Sequence, residues 1–231
     1  MIDLSGFEEK TKIYFKDKNL LAQAFIHRSY INENGTLKLS HNERLEFLGD
    51  AVLELIITDY LYNKYPDRDE GDLTAYRSAL VNAVIISEVA QKLGMNDYLM
   101  LSKGEAKDSG RARSFILANT YEAYVGAVYI DQGYEVARDF ISKTLWNKID
   151  MIVANKLWRD AKSLVQEKAQ EYLGVTPSYK VLSESGPDHD KHFTIGVFFA
   201  EDLIAEGKGK SKQEAEQMAA RVALETKGWL D

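Results

Sequence analysis

The hydrophobic pattern changes character near residue 155, and this change constrains the fold more than any other feature of the sequence. After that point the helical spacing gives way to short runs rich in β-branched and aromatic residues. Before it, apolar residues recur with helical spacing and without strand-like alternation in five stretches, Leu20–Ser29, Arg44–Tyr62, Thr74–Leu93, Ser114–Tyr129 and Glu135–Asn155. The pattern therefore predicts an all-helical domain over residues 1–155.

The remainder of the chain predicts a small α+β domain over residues 160–229. A helix over Asp160–Leu173 is closed by a glycine, and a Ser-x-x-Glu capping box at residues 211–214 opens a last helix. Between them lie three strand-like runs, Ser178–Ser183, Phe193–Phe199 and Leu203–Gly209. The predicted fold class is thus multidomain, an all-α domain followed by an α-β-β-β-α domain.

Composition excludes several kinds of chemistry. The 231 residues contain no cysteine, which excludes disulfides, thiolate zinc sites and cysteine nucleophiles. No apolar run approaches the roughly 20 residues that span a bilayer, and the first residues do not resemble a signal peptide, so we expect a cytoplasmic protein without a membrane partner. The net charge of −7 disfavours nucleic acid as a partner unless local basic clusters or metal ions mediate the contact.

Three carboxylates, Glu43, Glu46 and Asp50, follow one another at positions i, i+3 and i+7 of a predicted helix. This spacing places them on one stripe of the helix surface. An ordinary solvated helix face would alternate acids with Lys or Arg at i+4, and this stripe has no basic residue. It is therefore a candidate site for hard divalent cations.

A second helix carries Asn119 and Glu122 at i and i+3, next to the small residues Ala123, Gly126 and Ala127. Small residues let another helix approach closely, so the two stripes could converge on one spot. Oxygen ligands of this kind suit Mg²⁺, and paired ions of this type promote phosphodiester hydrolysis. For any single acid, a solvated helix face is the commoner explanation. The joint pattern favours a metal site.

The motifs identify a resemblance to the ribonuclease III family. The segment Asn42–Asp50 resembles the signature of that family, and the predicted tail is similar to a double-stranded RNA-binding domain. Further matching segments are Ala24–Tyr30, Leu80–Asn82, Lys103–Glu105 and Gly126–Asp131. The resemblance implies a homodimeric endoribonuclease that uses Mg²⁺, with Mn²⁺ as a substitute. Its products would carry 5′-phosphate and 3′-hydroxyl ends, and its role would be the processing of ribosomal RNA precursors and mRNA.

The resemblance also assigns roles to residues. It implies metal binding by Glu46, Asp50 and Glu122, with Asp50 and Glu122 as the catalytic pair. Glu43 matches an acid that supports the site or the RNA near the dimer valley. Phe47 matches an aromatic that packs into the partner subunit, although from the sequence alone it could equally be an ordinary core aromatic.

Asn119 departs from the family pattern, which usually has Asp there. An asparagine can still offer a carbonyl oxygen to a hard cation, but it lowers the formal charge of the site and should weaken metal affinity. Three hypotheses follow: an active ribonuclease III, a double-stranded RNA-binding protein with weakened catalysis, and a phosphohydrolase of small molecules, which the RNA-binding tail disfavours. A single sequence leaves open whether Asn119 is natural or introduced.

The tail carries candidate RNA contacts in three places, one of which is the loop Gly186–Lys191 with His189, which could enter a second minor groove. Lysines cluster where the last strand meets the final helix, whose capped N-terminus also attracts anions. Gln and Ser side chains on the first helix of the tail can donate and accept hydrogen bonds, which suits 2′-hydroxyl groups. Exposed polar patches of this size are common and need not bind anything. The resemblance nevertheless favours contact with RNA by Ser163, Gln166, Glu167, Gln170, His189, Lys208, Lys210 and Lys212.

Overall fold

The computed structural model describes residues 3–34, 40–107, 109–154, 158, 160–187 and 191–229. The chain divides into two compact units, residues 1–158 and 159–231. The first unit is helical, and the second is a three-stranded sheet with two helices, so the predicted fold class is confirmed. Within the described residues, none of the helices has the length and apolar character needed to cross a membrane.

Helices account for nearly all regular structure of the first unit. Two short 3₁₀ turns, Met95–Tyr98 and Glu105–Lys107, precede the seventh helix. A single parallel bridge between Ile26 and Met100 is the one strand-like pairing among the described residues of this unit. The helices are α1 (Ser5–Thr11), α2 (Lys18–Ala24), α3 (Arg28–Glu33), α4 (Glu43–Lys64), α5 (Glu70–Leu80), α6 (Ala83–Lys92), α7 (Arg111–Gln132) and α8 (Tyr134–Ala154).

Two of the predicted helices are wrong as continuous elements, because a side chain caps a new helix inside each. The stretch Thr74–Leu93 is split between α5 and α6, where the Asn82 side chain accepts hydrogen bonds from the backbone N–H groups of Val84 and Ile85, both at 3.1 Å. The stretch Leu20–Ser29 is split between α2 and α3, where His27 caps the next helix. Apolar spacing continues across both breaks, so periodicity alone does not reveal them.

The core of the first unit is built around α4 and α7, which lie against each other over much of their length. Both helices are 22 residues long and bury large side chains completely, among them Leu53, Ile56, Tyr121 and Tyr124. Burial of a side chain of this kind contributes about 1.5–3 kcal/mol. The packing of these two helices therefore fixes the relative position of any polar groups along their shared edge.

The second unit has the predicted order of elements. Strands β1 (Pro177–Ser185), β2 (His192–Phe199) and β3 (Asp202–Gly209) form an antiparallel sheet in the order β1-β2-β3. Helices α9 (Ala161–Leu173) and α10 (Lys212–Lys227) complete the unit, and their buried side chains share a core with β2 and β3. The strands extend one or two residues beyond the predicted limits.

Candidate nuclease centre and RNA-binding surface

Helices α4 and α7 touch through their backbones at two glycines. A Cβ atom at Gly49 would lie 1.7 Å from the carbonyl oxygen of Glu122, and one at Gly126 would lie 2.3 Å from the carbonyl oxygen of Leu45. No real Cβ tolerates such distances, so these positions require glycine as the helices are packed. The close approach confirms the expectation that Gly126 admits a neighbouring helix. Gly49, the other half of the contact, was not singled out by the sequence analysis.

This crossing brings the acids of α4 next to the polar residues of α7. The Asn119 amide lies close enough to Glu46 to stabilise its charged form, and the negative charges of Asp50 and Glu46 act on Glu122. Burial, with repulsion from these two carboxylates, raises the pKa of Glu122 from its ordinary 4.5 to about 8. The structure therefore brings four of the predicted site residues together at one edge of the helix pair.

The pKa of Glu46 is also raised above its ordinary value. Burial raises its pKa, repulsion from Glu43 and Asp50 raises it further, and the nearby Asn119 amide lowers it. The repulsion expected along the α4 stripe is thus present. A basic neighbour also exists, contrary to what the helix alone suggested: Arg28 of α3 lies 3.5 Å from a carboxylate oxygen of Glu43.

Glu43 occupies the first turn of α4 and stands between two cationic or potentially cationic groups. Besides Arg28, the Nδ1 atom of His41 lies 3.7 Å from its carboxylate. The preceding residue, Asn42, is buried and its side-chain nitrogen donates to the carbonyl of Ala24 at 3.2 Å. This anchoring holds the start of α4, so Glu43 is a positioned acid at the margin of the site.

The donor set suits a hard cation, although it does not enclose one as it stands. Among the residues that the structure describes, no three His, Asp or Glu side chains are close enough together to hold a metal ion. Nevertheless, Glu46, Asp50 and Glu122 offer carboxylate oxygens and Asn119 offers an amide oxygen, the ligands that Mg²⁺ prefers. A cation would also relieve the repulsion from Asp50 and Glu46 that adds to burial in raising the pKa of Glu122.

Phe47 is not a core residue of this unit, because 83% of it is exposed. It follows Glu46 directly and borders a surface pocket whose other apolar walls include Leu20, Leu48 and Ile130. An aromatic ring left in water forfeits the free energy that burial would provide. Of the two interpretations of Phe47, the ordinary core aromatic is therefore excluded for the single chain.

The predicted RNA-contacting face of α9 is a single exposed surface. Its four predicted residues, Ser163, Gln166, Glu167 and Gln170, are all exposed and line one shallow depression. Asp160 caps the start of this helix, and its carboxylate accepts a hydrogen bond from the Ser163 backbone N–H at 2.9 Å. The opposite face carries the buried residues that join the core. The polar face is thus exposed to solvent.

The lysine cluster lies where β3 meets α10. Lys208, Lys210 and Lys212 are exposed, and Lys212 lies 3.4 Å from a carboxylate oxygen of Glu184. Ser211 caps the start of this helix, and its hydroxyl oxygen accepts a hydrogen bond from the Glu214 backbone N–H at 3.2 Å, as the capping box predicts. The return bond differs, because the Glu214 carboxylate accepts from Lys210. His189 lies outside the described residues.

The sequence analysis missed a pair of residues at the start of α7. Arg111 lies over the ring of Phe115, with 5.7 Å between the guanidinium carbon and the ring centroid. Phe115 is 47% exposed. Both residues share the surface of α7 that bears Asn119 and Glu122, and the spacing of four residues could have revealed this.

Comparison with known proteins defines the class first. Residues 17–149 match a family model described as Ribonuclease-III-like, and residues 161–227 match one described as double-stranded RNA binding motif. The two matches coincide with the helical unit and the α-β-β-β-α unit. The protein is thus of the class that joins a helical endoribonuclease domain to a double-stranded RNA-binding domain.

Relatives agree over nearly the full length. Ribonuclease 3 of Protochlamydia amoebophila is 48% identical over 95% of this chain and 90% of the relative, and that of Borreliella burgdorferi is 45% identical over 96% and 90%. The solved nuclease domain of ribonuclease III from Campylobacter jejuni is 36% identical, covers 64% of this chain and 97% of its own, and gives a TM-score of 0.57. The chain belongs to the ribonuclease III family.

Proposed function

We propose that this protein is a Mg²⁺-dependent endoribonuclease that cuts both strands of double-stranded RNA as a homodimer. The products would carry 5′-phosphate and 3′-hydroxyl ends. The observation that carries the proposal is the glycine-mediated crossing of α4 and α7, which brings Glu46, Asp50 and Glu122 beside Asn119. Burial, with repulsion from Asp50 and Glu46, raises the pKa of Glu122 and favours its protonated form, and a bound divalent cation would favour the carboxylate.

The residues of the chain have separable tasks in this proposal. Glu46, Asp50 and Glu122 would hold the cation, and the nearby Asn119 amide stabilises the charged form of Glu46. When bound, divalent cations would stabilise the attacking and leaving oxygens of phosphodiester hydrolysis. Glu43, held between Arg28 and His41, supports the first turn of α4 and is not assigned a role as a metal ligand.

RNA capture belongs to the second unit. The exposed face of α9 supplies donors and acceptors for 2′-hydroxyls, and the lysines near α10 supply charge for phosphates. Because Lys212 already lies near Glu184, its contribution to phosphate binding should be reduced. We expect affinity for duplex RNA to fall as salt rises, with a slope set by the number of phosphates contacted.

Homodimerisation is supported by Phe47, the most exposed of the large apolar residues that the structure describes. For the Campylobacter jejuni nuclease domain, flexibility is described in a region involved in dimer formation. We propose that Phe47 inserts into a second copy of the chain. Two copies would bring two acidic sites to one duplex, and the linked RNA-binding domains would gain affinity through avidity.

The decisive experiment is cleavage of a long RNA duplex, followed on denaturing gels with and without Mg²⁺ or Mn²⁺. Glu122→Gln should abolish cutting and retain the gel shift, while Glu135→Gln, which alters an exposed carboxylate of α8, should leave both unchanged. End-labelling would identify the 5′-phosphate. Absence of cleavage by the parent protein at saturating metal would refute the nuclease proposal.

A second candidate function, duplex RNA binding with weak catalysis, is favoured by one observation, the neutral Asn119 in place of an acid. The same gel distinguishes the two, because this candidate predicts a shift without cleavage, and Asn119→Asp should then restore cutting. Roles in ribosomal and messenger RNA processing, and a cytoplasmic location, stay predictions. Mapping of 5′ ends after depletion of the protein and cell fractionation would test them.

A further inference from the structure

Arg111 and Phe115 lie on the same stripe of α7 as the proposed metal ligands. At 100° per residue, Phe115, Asn119 and Glu122 all fall within about 80° of Arg111 around the helix. Phe115 precedes Asn119 by one turn, roughly 6 Å along the axis, and precedes Glu122 by roughly 10 Å. Anything bound at the acidic site therefore extends past Phe115 if it follows α7 towards its N-terminus.

The environment of Phe115 differs from that of its neighbours. Ile116 and Leu117 are buried in the core, whereas Phe115 is 47% exposed. The guanidinium of Arg111 lies over the ring, and no carboxylate of the described residues pairs with it. Arg113, by contrast, is bound by the backbone carbonyl of Glu105 at 2.8 Å. Arg111 thus combines a charge available to an anion with a position above an accessible aromatic ring.

We propose that Arg111 and Phe115 together recognise an unpaired nucleotide of the RNA substrate close to the scissile phosphate. Phe115 would stack on the exposed base, and Arg111 would contact the adjoining phosphate. This inference rests on the proposed function of the acidic site. At about 3.4 Å per nucleotide step, the distance from Phe115 to the metal ligands corresponds to about two or three nucleotides.

The chemistry makes the contact selective. In a continuous duplex each base is stacked on its neighbours and offers no face to a protein ring, whereas a bulged or looped base can be turned out and stacked on an aromatic side chain. The Arg111–Phe115 pair should therefore favour cleavage of helices with an unpaired nucleotide near the cut. A perfect duplex would gain only the phosphate contact.

The first test compares two substrates, a perfect duplex and the same duplex with one unpaired nucleotide placed in turn one to four steps from the cut. In the 231-residue chain, Phe115→Ala should lower kcat/KM about tenfold on the substrate with the best-placed unpaired nucleotide and less than twofold on the perfect duplex. Phe115→Trp should restore the preference. Equal effects on both substrates, or none, would overturn the inference.

A second test needs no catalysis. With 2-aminopurine at the unpaired position and EDTA present, stacking on Phe115 should quench the fluorescence when the parent protein binds, and Phe115→Ala should remove that quenching. Tyr62→Ala, which alters another exposed aromatic of this unit, is the matched control and should leave it intact. Quenching that persists in Phe115→Ala would refute the stacking.

The two proposals fail in different ways. If the parent protein cuts neither substrate, the nuclease proposal is wrong. If it cuts the perfect duplex and shows no dependence on Phe115 for the interrupted one, the nuclease proposal stands and this inference falls. Circular dichroism of Phe115→Ala separates loss of stacking from loss of fold, since the half-exposed ring should contribute little to stability.

Discussion

Replacing Gly49 with alanine tests whether the crossing of α4 and α7 creates the active site. The added Cβ would lie 1.7 Å from the carbonyl oxygen of Glu122, 2.6 Å from its carbonyl carbon and 2.9 Å from the backbone nitrogen of Gly126. All three are backbone atoms, so no change of rotamer relieves the clash. The two helices must move apart.

The size of the movement follows from the contact distances. Ordinary contact begins near 3.4 Å, so the separation must grow by about 1.7 Å at this point. Forcing atoms into a packed core costs about 1–3 kcal/mol and sometimes more, while alanine returns about 1 kcal/mol of helix propensity. We expect a net loss of up to about 2 kcal/mol, or up to about 8 °C in Tm for a unit of this size.

The effect on catalysis should exceed the effect on stability. Moving α4 away from α7 separates Glu46 and Asp50 from Glu122, and a misplacement of about 1 Å can cost a hundredfold in rate. Cleavage assayed well below the Tm of the variant should therefore fall about a hundredfold, while binding of duplex RNA by the second unit persists. Gly126→Ala, with its closest contact at 2.3 Å, should show a smaller form of the same defect.

Gly104→Ala is the matched control, because its new Cβ would lie 3.8 Å from its nearest neighbour, the Ser102 hydroxyl. It should alter stability and cleavage little. Differential scanning calorimetry and cleavage rates at saturating Mg²⁺ supply the two measurements. If Gly49→Ala melts within about 1 °C of the parent and cuts at the parent rate, the close approach does not position the site.

Three further predictions concern the same unit. In EDTA, the raised pKa of Glu122 means that its contribution to stability is full below about pH 4.5 and is lost as pH rises to about 8. The free energy of unfolding of Glu122→Gln, measured with denaturant, should therefore rise by roughly 2–5 kcal/mol relative to that of the parent between pH 5 and pH 8.5. A constant difference across pH would contradict the shift. Asn119→Asp should lower the Mg²⁺ concentration for half-maximal cleavage by about tenfold, since it adds a charged ligand; an unchanged or raised requirement in a metal titration would count against Asn119 as a ligand. Phe47→Ala should convert dimer to monomer in light scattering without changing Tm by more than a few degrees, whereas Leu55→Ala, at another exposed position of α4, should leave the dimer intact; a dimer that survives Phe47→Ala would place the interface elsewhere.

The acidic residues could be predicted because their signal is local. Glu46 and Asp50 are fixed relative to each other by helix geometry, and so are Asn119 and Glu122, so spacing alone reveals each pair. The small residues of α7 further indicated where a second helix would approach. Spacing does not predict how closely α4 and α7 approach each other, because this distance depends on Gly49 facing the Glu122 backbone.

The features that the sequence analysis missed are of two kinds. Some are contacts between residues far apart in the sequence, and others are helix caps that lie within a continuous apolar periodicity. Arg28 reaches Glu43 only because α3 packs beside the start of α4, and no periodicity within α4 reports a partner from another helix. The break before α6 depends on Asn82, whose side chain captures two backbone N–H groups. Because apolar spacing continues past Asn82, the periodic signal outweighed the cap.

The neutral Asn119 affects two properties of the site in opposite directions, namely the stability of the metal-free protein and the affinity for Mg²⁺. Without metal, Glu46 already has a raised pKa from burial and from neighbouring acids, and the Asn119 amide opposes that shift by stabilising the charged form of the carboxylate. An ionised aspartate at this position could not lower the pKa of Glu46, because two carboxylates repel each other unless one of them takes up a proton. Asn119→Asp should therefore destabilise the metal-free protein near neutral pH while strengthening its hold on Mg²⁺. The neutral amide thus favours a site that remains ordered when empty, at the expense of metal affinity.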